Sequence, residues 1–113
     1  DNALAILPQS IVAKQTVVNL TRSTGAEHTE VWLDFSKKHA PNTVKRVLMA
    51  TVLSTPDILH EPKPTVRVFD HYDVNIRYSV RFWSPKTISP LEARDQFLSR
   101  LWYVAKRYNV EYA

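Results

Sequence analysis

The sequence predicts an α+β fold, and the order of its hydrophobic patterns carries that prediction. Apolar and polar residues alternate as in strands over 29–35, 65–69 and 74–83. Apolar residues at helical spacing separate the first strand from the second, and another helical segment follows the third. Strands joined by a helix run parallel, whereas the short turn "DHYD" makes the last two strands antiparallel. The order is that of the split β-α-β, or ferredoxin-like, pattern, with both helices on one face of the sheet.

Strand alternation divides the predicted sheet into a core face and an opposite face. The core face, which we expect to anchor the helices, is predicted to comprise Val31, Leu33, Phe35, Val66, Val68, Val74, Ile76, Tyr78, Val80 and Phe82. The opposite face is predicted to comprise Glu30, Trp32, Asp34, Arg67, Phe69, Asn75, Arg77, Ser79, Arg81 and Trp83.

The first predicted helix covers 41–53. Pro41 suits the first turn, where its missing N–H removes no helical hydrogen bond, and Pro56 stands just beyond the end. The inward positions at helical spacing are Val44, Val47, Leu48, Thr51 and Val52.

The second predicted helix has the clearest start signal in the chain. In "SPLE", Ser89 is the N-cap, Pro90 the first helical residue and Glu92 the third, which is the capping-box arrangement. Trp102 and Tyr103 are predicted to serve the core and its edge. One apolar stripe is predicted to contain Leu91, Phe97, Leu98, Leu101, Trp102, Ala105 and Tyr108. The ending "NVEYA" resumes strand-like alternation, so a last strand is possible.

The only glycine, Gly25, marks a predicted domain boundary in the polar stretch "RSTGAEH". Residues 1–22 contain two short runs with the β-branched enrichment of strands, joined by a turn near Pro8 to Ser10. Two strands alone bury little, so we expect them to be the C-terminal part of a small β domain. Residues 26–113 form the predicted α+β domain.

Composition limits the classes of function. The net charge of +4 is mildly basic and compatible with a nucleic acid, an anionic membrane surface or neither. No cysteine is present, which excludes disulfides and thiolate chemistry. No apolar run approaches the roughly 20 residues of a membrane-spanning helix, so we expect this piece to be soluble even if a longer parent protein is not.

The sharpest candidate site is the face of the sheet that the helices leave uncovered. Its arginines and aromatic residues alternate as in an RNA-recognition domain, where bases stack on rings and cations neutralise phosphate. However, residues 66–83 contain no glycine, which the strand signature of that domain needs, and Glu30 and Asp34 could pair with arginines across the strands. The alternative is a solvated or subunit-contacting face. The candidate residues are Trp32, Arg67, Phe69, Arg77, Arg81 and Trp83.

Nothing in the sequence argues for catalysis, a cofactor or a metal. The four histidines are scattered without a metal-ligand spacing, and no nucleophile elbow or glycine-rich phosphate loop is present. Asp70, His71 and Asp73 could hold a cation in principle, but aspartates in a hairpin turn need no ligand to explain them.

Several motifs in order resemble the cytoplasmic region of the small-conductance mechanosensitive ion channel family. They are "LPQS" at 7–10, "VVNLTR" at 17–22, and "VNIRYSVRFW" at 74–83 followed by a long helix. In that family a Pro-Asn-Ser or Pro-Asn-Gly turn ends one strand of a small β domain, and an Asn-aromatic-Ser-Arg element closes the domain. Gln9 departs from the first motif and Leu20 from the second. The matching residues are Pro8, Ser10, Asn19, Thr21, Arg22 and Val80 to Trp83.

The resemblance implies a non-enzymatic role in ion transport and osmotic response. It implies that 26–113 belong to a domain that assembles with copies of itself into a heptameric vestibule beneath the pore, at the cytoplasmic face of a membrane. Ions and small osmolytes would pass through side portals, and the pore-lining helix would lie upstream in a membrane-embedded parent. Nucleic acid is not an expected partner on this interpretation, and the candidate face would line the vestibule or a subunit interface.

Overall fold

The computed structural model describes residues 20–21 and 26–110 of the chain and shows a small α+β domain. The predicted strands before residue 20, the turn near Pro8 and the possible last strand after Val110 lie outside the described residues. The elements in chain order are β1 (Leu20–Thr21), β2 (Ala26–Ser36), α1 (Pro41–Ser54), β3 (Thr65–His71), β4 (Asn75–Pro85) and α2 (Pro90–Arg107).

The sheet has the strand order β1-β2-β4-β3, and each neighbouring pair is antiparallel. Because β2 and β3 both run antiparallel to β4, they are parallel to each other, with α1 as the connection between them. Leu20 and Thr21 pair with His28 and Glu27 at the edge of β2. The sequence assigns those two residues to a separate β domain, and that assignment stays a prediction.

Both helices lie on one face of the sheet, as predicted. A single hydrophobic core contains alternate residues of β2 and β4 together with residues of α1 and α2. The rings of Phe82 and Phe97 lie 5.4 Å apart between β4 and α2. Val66 and Val68 of β3 are only partly buried against this core, because β3 is the outer strand of its side of the sheet.

Helix α1 agrees with its sequence pattern. All five predicted inward residues, Val44 to Val52 at helical spacing, are buried. Pro41 is in the first turn of the helix. The helix ends at Ser54, and Thr55 is extended because Pro56 disfavours the helical conformation of the residue before it. The buried Thr51 hydroxyl donates to the carbonyl oxygen of Val47, one turn earlier in the helix, at 2.7 Å.

Helix α2 begins at the predicted cap, and it ends with a feature that the sequence analysis missed. The Ser89 hydroxyl accepts a hydrogen bond from the Glu92 amide at 3.1 Å. The Glu92 carboxylate does not complete the box but accepts from Gln96 at 3.2 Å. At the other end Asn109 adopts φ 58°, and Val110 donates to Ala105 at 2.9 Å, which is the Schellman arrangement with asparagine in the usual place of glycine.

The predicted apolar stripe of α2 is partly wrong. Leu91 is 67% exposed, Trp102 39% and Tyr108 41%, so none of them belongs to the core. Tyr103, predicted at the edge of the core, is 59% exposed. The large apolar side chains dominate the sequence pattern, but the small residues Ala93 and Ala105 are buried and three of the large ones are not. The buried residues of α2 are Ala93, Phe97, Leu101, Val104 and Ala105.

Val74 is a second correction. The sequence analysis places it on the core face, but it is 73% exposed. The hairpin turn is closed by a hydrogen bond of 2.8 Å from the Tyr72 amide to the Asn75 carbonyl, and β4 begins only at Asn75. Val74 therefore lies in the turn, beyond the area that the helices cover. No helix in the described part of the chain is both long and apolar enough to cross a membrane.

Two leucines of α2 test the orientation of this helix. Leu101→Ala removes a buried side chain and is expected to lower the free energy of unfolding by about 2–5 kcal/mol. The matched substitution Leu91→Ala changes an exposed side chain and is expected to stay within about 0.5 kcal/mol. Urea unfolding of the 113-residue chain, followed by circular dichroism, measures both. Equal losses would mean that the predicted stripe, rather than the observed one, faces the sheet.

Candidate functional site

The face of the sheet opposite the helices, here called the open face, carries all six candidate residues predicted from the sequence. The register between β2 and β4 sets Glu30 opposite Arg81, Trp32 opposite Ser79 and Asp34 opposite Arg77. Arg67 of β3 lies opposite Ser79 on the other side of β4. The open face is therefore three strands wide, with β4 in the centre.

Arg77 and Asp34 form a two-point ion pair in the middle of the open face. The guanidinium Nε donates to Asp34 Oδ1 at 2.8 Å, and Nη2 donates to Oδ2 at 3.2 Å. The ring of Tyr72 lies 4.9 Å from the guanidinium carbon and covers it from the hairpin. The side chains are only 18% and 16% exposed, and the hydrogen bond to Asp34 raises the pKa of Arg77 even though partial burial opposes this.

Glu30 accepts hydrogen bonds both from its own strand β2 and from the neighbouring strand β4. Its Oε2 atom accepts from the Ser79 hydroxyl at 2.7 Å and from the Trp32 indole nitrogen at 3.1 Å. Arg81 Nε stands 3.5 Å from the same oxygen. Partial burial alone would raise the pKa of Glu30, but the hydrogen bonds from Ser79 and Trp32 and the charge of Arg81 outweigh it and lower that pKa.

Pairing between carboxylates and arginines across the strands, which the sequence left as one alternative, is thus present. Asp34 neutralises Arg77 and is held by it in a fixed geometry. Arg81 faces Glu30, although its side chain remains 58% exposed. Arg67 is exposed and makes no hydrogen bond or ion pair within residues 26–110 of the structure. Arg67 and Arg81 therefore supply the positive charge that the open face presents to its surroundings.

The aromatic residues of the open face form a stacked pair. The rings of Trp32 and Phe69 are 4.4 Å apart with an interplanar angle of 29°, and Phe69 remains 48% exposed. A break in the β3–β4 register between Val68 and Asp70 leaves Phe69 without a partner residue on β4, which is a β-bulge. No signal in the sequence marks this bulge, because the run "VRVFD" reads as continuous alternation.

Trp83 lies on the same face of β4 as Arg77 and Arg81, but its side chain is buried. It is only 8% exposed, and the ring of His28 lies 4.7 Å from it at an angle of 49°. Its carbonyl accepts from the Leu59 amide at 2.8 Å, so the loop after α1 runs alongside this end of β4. The structure brings together Trp32, Arg67, Phe69, Arg77 and Arg81 as one surface, with Trp83 buried at its end.

A shallow cleft of about 420 Å³ is present on the helix side of the domain. The Gln96 amide there donates to Asp57 at 3.0 Å, and Arg100 donates to the Ser54 hydroxyl at 3.1 Å. Its acidic and basic side chains are mixed, and sequence analysis did not single it out. Its lining residues are Pro56, Asp57, Asp95, Gln96, Ser99, Arg100 and Tyr103.

No group of three or more histidine, aspartate or glutamate side chains within residues 20–21 and 26–110 is placed to hold an ion. In the hairpin, where a cation was conceivable, the Asp70 carboxylate accepts from the backbone amide of His71 at 2.8 Å. The Asp70 carboxylate therefore already accepts a local hydrogen bond at the end of β3.

Comparison with known proteins adds no relative. No protein-family model matches the chain, and no curated protein sequence matches it significantly.

The Asp34–Arg77 pair is expected to stabilise the sheet. Asp34→Asn leaves a half-buried guanidinium without its carboxylate, and we expect it to cost about 1.5–3 kcal/mol of unfolding free energy. Asp73→Asn, in the exposed turn, serves as the control with an effect within about 0.5 kcal/mol. In a double-mutant cycle, Asp34→Asn with Arg77→Gln should cost less than the sum of the single losses. Additive losses in urea unfolding would contradict direct coupling.

Glu30 is expected to make the free energy of unfolding depend on pH. A folded pKa below the unfolded value of about 4.3 means that the contribution of Glu30 is fully present above that pH and lost as the pH falls through the folded pKa. Glu30→Gln should therefore destabilise the chain at pH 7, and the difference from the parent should shrink below pH 4. Thermal unfolding at pH 3–7 measures it. A difference that stays constant across this range would show that Glu30 does not carry the effect.

Proposed function

We propose that this chain belongs to the cytoplasmic region of a mechanosensitive channel of the small-conductance type. On this proposal the domain that begins at residue 26 is ferredoxin-like and forms part of the vestibule wall below the pore. Copies of the chain would surround the vestibule as a heptamer, and ions and small osmolytes would pass through it. The chain would act as a passive wall and carry out no reaction.

The observation that carries the proposal is the order of motifs together with the way the strands are joined. The motifs before the domain stand in the order of the family, and β4, which contains Val80-Arg81-Phe82-Trp83 near its end, is followed by the long helix α2. In the sheet, β4 lies between β2 and β3, which are connected through α1. This is the strand order that a split β-α-β unit requires, and it supports the ferredoxin-like assignment.

The electrostatics of the open face support a wall more than a surface for binding a polyanion. Phosphate binding needs cations that are free to exchange counterions for phosphate. Arg77 is instead fixed by Asp34, and Glu30 lies beside Arg81. The indole nitrogen of Trp32 is engaged by Glu30, and one face of its ring is covered by Phe69. A largely neutral surface with limited positive charge suits weak filtering of passing ions.

Patch-clamp recording tests the proposal directly. The full-length protein that contains this chain is produced in cells lacking their own tension-gated channels, and suction is applied to excised membrane patches. We expect currents that open with tension and are absent from patches of cells without the protein. A correctly inserted full-length protein that gives no current up to the suction at which patches rupture would overturn the proposal.

The same recordings test whether the open face lies on the ion path. Arg67→Gln with Arg81→Gln removes the two accessible cations of that face, and we expect the reversal potential in a salt gradient to shift away from anion preference. The tension threshold should be unchanged. Arg46→Gln with Lys63→Gln removes the same charge from exposed positions elsewhere and serves as the control. An unchanged reversal potential in an active channel would place the open face away from the path.

A further inference from the structure

The last two turns of α2 expose a surface that neither the core nor the open face uses. We define the α2 patch as Trp102, Tyr103, Lys106 and Arg107. Trp102 is 39% exposed and Tyr103 59% exposed, and both basic residues are exposed. At 3.6 residues per turn these four positions occupy less than half of the helix circumference, on the side away from the sheet. They therefore form one continuous surface.

Both charged residues of the α2 patch, Lys106 and Arg107, are positive, and the nearest carboxylates that the structure describes are those of Asp57 and Asp95 in the cleft beside Tyr103. From Phe97 to Val110 the sequence contains Arg100, Lys106 and Arg107 but no aspartate or glutamate. Lysine and arginine at the end of a helix are favoured by the helix dipole, which explains their position without any partner. The dipole does not explain why a tryptophan and a tyrosine are exposed beside them. Aromatic and basic side chains together on one convex surface indicate an anionic, partly apolar partner.

The geometry within the α2 patch favours a lipid surface over a nucleic acid. The Lys106 ammonium lies 4.5 Å from the centre of the Trp102 ring and covers one of its faces. The Tyr103 ring meets Trp102 edge-on, at 5.0 Å and an interplanar angle of 80°. Base stacking needs a flat, uncovered ring face, whereas indole and phenol rings at a membrane interface need only an apolar body and a polar edge.

We propose that the α2 patch binds the surface of an anionic phospholipid bilayer. Trp102 and Tyr103 lie at the level of the headgroups, and Lys106 and Arg107 contact lipid phosphates. Each cation near such a surface contributes about 1 kcal/mol, which corresponds to a roughly fivefold change in the partition coefficient. This binding goes beyond the proposed channel function and does not rest on it, because the surface involved is on the helix side of the domain.

Vesicle sedimentation with the 113-residue chain tests this binding. Vesicles of phosphatidylcholine with phosphatidylglycerol are compared with vesicles of phosphatidylcholine alone, at low and at physiological salt. We expect binding to the anionic vesicles, weakened by salt, and little binding to the neutral ones. Lys106→Gln with Arg107→Gln should reduce the partition coefficient about 25-fold. Trp102→Ala with Tyr103→Ala should reduce it at least fivefold and abolish a blue shift of tryptophan emission that vesicles induce.

Matched controls separate the α2 patch from general basicity. Arg46→Gln with Lys63→Gln lowers the net charge equally and should leave binding within about twofold, apart from the weak effect of net charge. Circular dichroism shows whether each variant is folded. The proposal is overturned if anionic vesicles do not bind the chain, or if both charge variants lose vesicle binding equally. It is also overturned if the chain binds single-stranded RNA more tightly than it binds anionic vesicles and the patch variants lose that RNA binding. None of these outcomes bears on tension-gated current in the full-length protein.

Discussion

The pairing of β2 with β4 is the constraint on which the rest of the domain depends. Eleven residue pairs, from Ala26 with Pro85 to Ser36 with Asn75, are joined without a break. Because side chains alternate between the faces, a slip of one residue would expose Val31, Leu33 and Phe35 and bury the charges beside them. The same register brings Asp34 to Arg77 and Glu30 to Arg81. Core packing and charge pairing thus both favour the same register, so the register is specified more strongly than by either one alone.

The sequence predicted most of the sheet and both helices because their signals are local and strongly periodic. The alternation in β2 and β4 distinguishes two faces, and the inward residues of α1 occur at helical spacing. The cap at Ser89 is a short-range motif, and its bond from the Glu92 amide is present although the reciprocal bond of the capping box is not. Carboxylates opposite arginines were also within reach of the sequence, since each pair follows from the alternation once two strands are placed side by side.

The wrong predictions concern positions where an apolar residue is exposed in the structure or a small one is buried. In α2 the large apolar residues Leu91 and Trp102 face outward, whereas the small residues Ala93 and Ala105 are buried. Val74 continued the alternation in sequence but lay in the turn. The bulge at Phe69 interrupts the pairing of β3 with β4, and the alternation within β3 contains no sign of it. The sequence therefore predicted which residues lie on the open face better than it predicted how exposed each side chain is.

Where the charges lie decides what each surface of the domain can do. An arginine bound to a carboxylate acts at a distance as a dipole, and exposed charges are screened within about 8 Å at physiological salt. Beyond that distance the Asp34–Arg77 pair contributes almost no field, Glu30 offsets the charge of Arg81, and Arg67 leaves the open face with a modest positive potential. In the α2 patch, Lys106 and Arg107 have no carboxylate between Phe97 and Val110 beside them, and Asp57 and Asp95 lie at the cleft on the Tyr103 side. The positive end of the α2 patch and the largely neutral open face therefore suit different partners, the first an anionic surface and the second a contact that needs little net charge.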